Sequence, residues 1–296
     1  MKYIFILNNH AGNRSAEKEN EFLEQYKDKV EYALHLTIGK KEATTFIKNY
    51  CKENPEEETC FVACGGDGTI NEVISGLVGE KNKYFAVLSY GSGNDFIKCF
   101  PNKDFLSLDK LFAGEKTQID VMQVNDSYSV NVINVGFDAK VGSVANKVKD
   151  KGGKNPYGRG VFTAIFTAMK NKIDVYADGE KVGGEKMLMA NFSNGKYCGG
   201  KYLCAPLSVM DDGLMEFSYF KPVSLFKFLK ILKPYERGEH INHPALNGIL
   251  TYKRTAEIKV VSQKEIELSL DGEMLSGTEF NIKCLHKALN FIVPAD

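Results

Sequence analysis

Cys60-Phe61-Val62-Ala63-Cys64-Gly65-Gly66-Asp67-Gly68-Thr69-Ile70-Asn71-Glu72-Val73 decides the fold of this chain. Its first five residues are apolar throughout, the pattern of a strand buried on both faces of a parallel sheet. Gly65, Gly66 and Gly68 break that strand and open backbone conformations closed to other residues. Beyond them Ile70, Val73, Ile74 and Leu77 recur at helical spacing. Thr69, with Glu72 three residues on, reads as a capping box that starts the helix. Strand, glycine turn and helix N-terminus together bind anions. Amide N–H groups converge there, the helix dipole adds partial positive charge, and no Cβ obstructs a phosphate. Asp67 is a carboxylate placed where phosphates belong, and a divalent cation between the two reverses the repulsion. The stretch therefore predicts a nucleoside triphosphate held with magnesium. Taken alone, Gly-Gly-Asp-Gly fits equally a tight turn in which Asp67 and Thr69 only cap.

Composition narrows the class. The chain has 296 residues, enough for one large or two modest domains. Its 38 Lys and Arg balance 38 Asp and Glu, which argues against a general affinity for nucleic acid. Seven cysteines, an odd number without a paired framework, fit a reducing cytoplasm. Cys60 and Cys64 fall on the predicted strand and read as core, not as metal ligands. The apolar run Tyr3 to Leu7 is too short for a signal peptide, and no uncharged apolar run approaches a membrane span. Any lipid is thus met from outside the bilayer.

Tyr3 to Leu7 reads as a strand ending in Asn8-Asn9-His10-Ala11-Gly12-Asn13, a second loop at a strand's carboxyl end, where open α/β sheets bind ligands. A helix from about Ala16 to Lys27, a strand Tyr32 to Leu36 ending at Thr37, a helix Glu42 to Asn49 and a charged loop Glu53 to Thr59 follow. Phe85 to Leu88 is another buried strand, running into Ser89-Tyr90-Gly91-Ser92-Gly93-Asn94-Asp95-Phe96. Asn94-Asp95 opens a helix there, with Asp95 either its N-cap or part of a cation network. Ile119 to Val124 is extended and leaves Asp120 among apolar neighbours, a costly place for an unpaired carboxylate.

From about Asn125 the texture changes to strands and turns. Tyr128 to Gly136 is extended, Lys147 to Tyr157 is a basic glycine-bearing loop, and Val161, Ile165, Phe166 and Met169 form a helical face. Asp178-Gly179 has the composition of a hairpin turn. Met187 to Phe192, Ala256 to Val261, Ile266 to Leu270 and Leu289 to Val293 read as strands. Leu225 to Lys233 is a short basic amphipathic helix; it covers a sheet with its lysines in water, the alternative being a dock for anionic headgroups.

The string Gly65-Gly66-Asp67-Gly68-Thr69-x-Asn71-Glu72-Val73 resembles the first signature of the diacylglycerol kinase catalytic-domain family, bacterial lipid kinases included. Ser92-Gly93-Asn94-Asp95-Phe96 is similar to its Gly-Thr-x-Asn-Asp-Phe signature, with Ser92 supplying the hydroxyl. Leu268-Ser269-Leu270-Asp271-Gly272-Glu273 is similar to its Asp-Gly-Glu motif, and Asn194-Gly195 through Asp211-Asp212-Gly213-Leu214 to a glycine-rich segment.

The resemblance implies an α/β nucleotide-binding domain over residues 1–124, like that of NAD and diacylglycerol kinases. It also implies a β-rich sandwich domain over 125–284, with a last strand at about 285–296 returning to the first domain and the active site between the two. ATP is then held by Asn8, Asn9, His10, Ala11, Gly12, Thr37, Gly66, Asp67, Gly68, Thr69, Asn71, Glu72 and Ser92. Asp67, Asp95 and Asp120 belong to a Mg2+–water network, and a separate structural Mg2+ takes the Asp212 side chain and the carbonyls of Val209 and Leu214. Asp271 is the general base, with Glu273 either orienting it or holding water in the cation network.

The implied activity is transfer of the γ-phosphate of ATP to the hydroxyl of diacylglycerol or a similar lipid at the membrane surface, by a cytoplasmic or peripherally attached enzyme. The sequence leaves a homodimer open. An NAD kinase-like phosphotransferase, a sphingoid or ceramide-type lipid kinase and a non-catalytic lipid- or nucleotide-binding regulator are the alternatives.

Overall fold

The computed structural model describes residues 1–8, 16–136, 171–184 and 186–296. Within these the chain forms two compact units, Met1–Val121 with His286–Asp296, and Met122–Leu285. The predicted helical face at 161–169 and the basic loop at 147–157 lie outside the described residues.

The first unit alternates strand and helix: β1 Lys2–Asn8, α1 Ala16–Glu24, β2 Tyr32–Thr37, α2 Glu42–Glu53, β3 Thr59–Gly65, α3 Asp67–Leu77, β4 Lys83–Ser89, α4 Leu108–Phe112 and the start of β5 Glu115–Val124. The strands β2, β1, β3 and β4 are parallel and adjacent in that order. Every residue of β3 is buried, which is why its sequence is apolar without alternation. Phe5, Leu7, Cys60, Val62, Cys64, Ala86 and Leu88 meet in one core. Each such Phe, Leu or Val side chain contributes roughly 1.5–3 kcal/mol on burial. Gly76 lets α2 lie close to α3, since a Cβ there would stand 2.8 Å from Ile47.

Three local expectations are corrected. The helix after β3 starts at Asp67, two residues before Thr69, because Gly66 takes the N-cap in extended backbone (φ −105°). No Thr69–Glu72 capping box forms. The Glu72 carboxylate instead accepts the backbone N–H groups of Lys41 (2.9 Å) and Ala43 (3.2 Å) at the start of α2. Asn94-Asp95 opens no α-helix: Asn94 is left-handed (φ 52°), its side chain donates to the Gly91 carbonyl at 2.7 Å, and only a 3-10 turn at Ile97–Cys99 follows. Finally, α2 runs on to Glu53, and Thr59 begins β3 rather than ending a surface loop.

The second unit is built of β6 Ser127–Ser129, β7 Val132–Gly136, β8 Asn171–Ala177, β9 Glu180–Gly183, β10 Lys186–Met187, β11 Met189–Ser193, β12 Met215–Phe220, α5 Leu225–Glu236, β13 Leu250–Thr255, β14 Glu257–Leu270 and β15 Glu273–Val293. Strands β13, β12, β11, β7, β14 and β15 are neighbours in that order, and their pairings are antiparallel. Asp178 and Gly179 join β8 to β9, both with positive φ (48° and 83°), as a two-residue hairpin turn requires.

Side-chain alternation gives the sheet two buried faces. Ile133, Val135, Ala190, Phe192, Phe217 and Tyr219 point into one core. Val132, Met189 and Phe220 point into the other, which α5 completes with Phe228, Ile231 and Tyr235. The two strands expected at 256–261 and 266–270 are one, β14, interrupted by a register shift between Val261 and Ile266. The expected last strand is the tail of β15, whose residues 273–283 pair with β14 and whose Phe291 pairs with Phe85 of β4.

Candidate functional site

The parallel strands of the first unit deliver their carboxyl ends to one edge, where an open α/β sheet collects ligands. Asn8 and Thr37 are register partners on β1 and β2, and the buried Thr37 hydroxyl donates to the Leu7 carbonyl at 3.4 Å. Asn9, His10, Ala11 and Gly12 lie outside the described residues. At the end of β3, α3 opens on Gly66, which carries no side chain to cap the first-turn N–H groups. A helix N-terminus left in that state accepts an anion. Gly68 is exposed, and a Cβ on it would meet nothing within 4 Å.

The loop after β4 interlocks with this turn. A Cβ on Gly91 would stand 2.4 Å from the Gly66 Cα, so the two backbones touch only because both residues lack one. The Tyr90 N–H donates to the Gly65 carbonyl at 3.0 Å. Asp67 Oδ1 accepts the Asp95 N–H at 3.0 Å, and a Cβ on Gly93 would come within 2.7 Å of Asp67 Oδ2. Asp95 is buried and paired with Lys98 at 2.8 Å, while the same ammonium donates to the Gly93 carbonyl at 2.7 Å. Thr69 packs over the end of β3, where a Cβ on Gly65 would collide with its hydroxyl. Asn71 is buried and Ser92 exposed. Gly66, Asp67, Thr69 and Asp95 are thus brought together; the Glu72 carboxylate holds α2.

The expected metal network takes a different form. Asp120 is fully buried, and its Oδ1 accepts the Lys287 N–H at 2.7 Å and lies 3.0 Å from His286 Nδ1. Those bonds answer the burial cost that its sequence context raises. Asp67, Asp95 and Asp120 are each engaged by protein donors, and no group of three or more His, Cys, Asp or Glu among the described residues is placed to hold a metal. At the expected structural cation site, Asp212 is held by protein donors. One Asp212 oxygen accepts the Leu214 N–H at 3.1 Å, the other pairs with the Arg254 guanidinium, and Val209 is exposed. Arg254 thus places a positive charge beside Asp212.

Asp271 stands between β14 and β15 in left-handed backbone (φ 50°), followed by Gly272 at φ 97°. Its N–H donates to the Val132 carbonyl at 3.1 Å. Its Oδ1 accepts the Ser129 hydroxyl (2.8 Å) and the N–H groups of Val132 (2.9 Å) and Asn131 (3.2 Å); its Oδ2 accepts the Val130 N–H (2.9 Å). Four donors from one segment fix the position of this carboxylate. Glu273 is exposed, and donors from 129–132 hold Asp271.

Sequence reasoning missed a polar strip in the same unit, buried except at the half-buried Asn134. Asn134, Asn191 and Ser218 align across β7, β11 and β12, and Ser193 opposes Glu216 one rung away. Glu216 is 2% exposed, and burial pushes its carboxyl up to about 7, against the pull of Arg254. The signal was present: Met189–Ser193 and Met215–Phe220 place a polar residue at every second position within strands otherwise apolar enough to be core.

An α/β unit with interlocked acidic glycine loops, joined to an antiparallel β unit, defines the NAD kinase and diacylglycerol kinase class of fold. Residues 2–124 match the family model of the diacylglycerol kinase catalytic domain, and residues 131–293 that of the YegS C-terminal NAD kinase beta sandwich-like domain. The chain belongs to the diacylglycerol kinase family of lipid kinases, and it is a kinase. It is 28% identical to a diacylglycerol kinase of Bacillus subtilis (strain 168), over 100% of this chain and 98% of that one. The crystal structure of a diacylglycerol kinase from Bacillus anthracis superposes with a TM-score of 0.73 at 18% identity, covering 99% of this chain and 96% of that one. Yeast NADH kinase complexed with NADH shares the fold at a TM-score of 0.55 and 13% identity, covering 100% and 84%. No helix among the described residues is long and apolar enough to cross a membrane.

Proposed function

We propose that this kinase transfers the γ-phosphoryl group of ATP to the hydroxyl of diacylglycerol or a closely similar lipid. The observation that carries the nucleotide half is the contact of Gly66 with Gly91, which builds two glycine loops into one cradle at the N-terminus of α3. Asn8, Thr37, Gly66, Gly68, Thr69 and Ser92 hold the triphosphate and its nucleoside. Asp67 braces the second loop through the Asp95 N–H. Magnesium bound with the nucleotide would neutralise phosphate charge, with Asp67 and Asp95 the nearest carboxylates to the cradle.

Asp271 is the group that takes the proton. The acceptor oxygen bonds to the γ-phosphorus, the bond to the bridging oxygen breaks, ADP leaves, and the hydroxyl proton passes to a carboxylate fixed by Ser129 and the 130–132 amides. Family membership supports the lipid acceptor. The test is incubation of the purified protein with γ-labelled ATP and, in parallel, diacylglycerol in detergent micelles, a mixed lipid extract and NAD. Label in phosphatidic acid is the expected result. Label in NAD, or ATP binding without transfer to any lipid, overturns it.

A further inference from the structure

The outward face of α5 carries a feature that neither the fold nor the phosphoryl transfer explains. Ser224 caps the helix through the Lys227 N–H, and Phe228, Ile231 and Tyr235 bury its inner side in the second core. On the other side Phe226 is 69% exposed and Leu229 59% exposed. Lys230 and Lys233 are also exposed. At 3.6 residues per turn these four fall within an arc of about 100°. The Lys230 ammonium lies 4.4 Å from the centroid of the Phe226 ring, so cation and ring form one patch. Lys221 precedes the helix and is exposed, and Lys227 is half-exposed. The first turn has no acidic residue, and the one acid of the helix, Glu236, is paired with Lys201 at 2.9 Å.

We propose that this face docks the enzyme on an anionic lipid surface. Two exposed apolar side chains ringed by lysines, with no acidic residue in the first turn of the helix, complement a bilayer interface: the ring and the isobutyl group enter the acyl boundary, and the ammonium groups reach anionic headgroups. A protein partner complementary to the lysines would be acidic; a bilayer offers the same charge together with an apolar layer of the right depth. The inference rests on the lipid reading above, since an acceptor lipid is met at that surface. It adds the element that reaches it.

The experiment is co-sedimentation of the full chain with vesicles of phosphatidylcholine alone and of phosphatidylcholine mixed with phosphatidylglycerol, at low and high salt, for wild type, Phe226→Ala/Leu229→Ala and Lys230→Glu/Lys233→Glu. Binding to the mixed vesicles, weakened by salt, is expected for wild type. Each double variant should bind about tenfold more weakly, with unchanged thermal midpoint and unchanged phosphorylation of diacylglycerol in detergent micelles. Variants that bind like wild type overturn the proposal. So does sedimentation velocity showing a wild-type dimer that the Phe226→Ala/Leu229→Ala variant dissolves, which would assign the face to a second copy. Vesicle binding without micellar phosphorylation would retain the docking face and reject the kinase assignment, so the two ideas fail separately.

Discussion

Asp67 Oδ1 accepts the backbone N–H of Asp95 at 3.0 Å. The carboxylate of the first glycine loop is therefore a strut for the second, and the shape of the cradle depends on both loops at once. The glycines at the contact have different jobs, and substitution separates them.

Gly91→Ala places a Cβ 2.4 Å from the Gly66 Cα, a backbone collision that no side-chain rotation relieves. It should lower stability by about 1–3 kcal/mol and weaken ATP binding at least tenfold. Gly68→Ala meets nothing within 4 Å, so its stability should stay within about 0.5 kcal/mol of wild type while ATP binding falls. Urea denaturation and calorimetric titration with ATP check the pair. Equal loss of stability in both would reject this division of roles.

Asp271→Asn turns one carboxylate oxygen into an amide nitrogen, which must face an N–H of segment 129–132 or the Ser129 hydroxyl. A destabilisation of about 1–3 kcal/mol is expected from the donor left unpaired, with turnover nearly lost and ATP affinity kept. Wild-type turnover in a folded variant, measured with labelled ATP, would remove Asp271 from the chemistry.

The Arg254 guanidinium pairs with Asp212. Without nucleotide, addition of EDTA or of magnesium should leave the thermal midpoint unchanged. Arg254→Gln should destabilise the second unit, because Asp212 and the buried Glu216 lose their positive neighbour. A magnesium-dependent rise in the wild-type midpoint would show a resident ion there.

His240 is fully buried, with its ring centroid 4.9 Å from that of Tyr235 on α5 and 6.1 Å from that of Phe220 on β12. Burial lowers its pKa to about 4, against a backbone hydrogen bond with Cys204 that acts the other way. Between pH 6.5 and 4 the unfolded chain binds the proton and the folded chain does not. Stability is thus full above pH 6.5, falls as the pH drops and levels off below 4, with a loss of about 2 kcal/mol by pH 5. His240→Phe should flatten that part of the profile in urea titrations at pH 7 and 5.

The residues that report a fold through local pattern were legible; those that act through distant backbone were not. Cys60 to Cys64 announced a buried parallel strand, and Gly65 to Gly68 the turn after it, because burial and backbone freedom are written in residue type at adjacent positions. Asp178-Gly179 announced its hairpin for the same reason. Glu72 was misread because its partners, the amides of Lys41 and Ala43, carry no side-chain signature. Asp271 was recognised by its motif, yet its support from residues 129–132 had no local trace. The sequence around Asp120 shows the cost of burying it, but the histidine and the amide that meet that cost lie 166 and 167 residues further on.

The path of β15 has a consequence for biosynthesis. Its 21 residues begin against β14 and finish beside β4. On a translating ribosome the nucleotide-binding unit emerges first, yet the edge of its sheet stays open until this late segment has left the exit tunnel. Until then the exposed side of β4 is a template for any passing strand. Nascent chains paused just short of residue 286 are where chaperone dependence should be greatest.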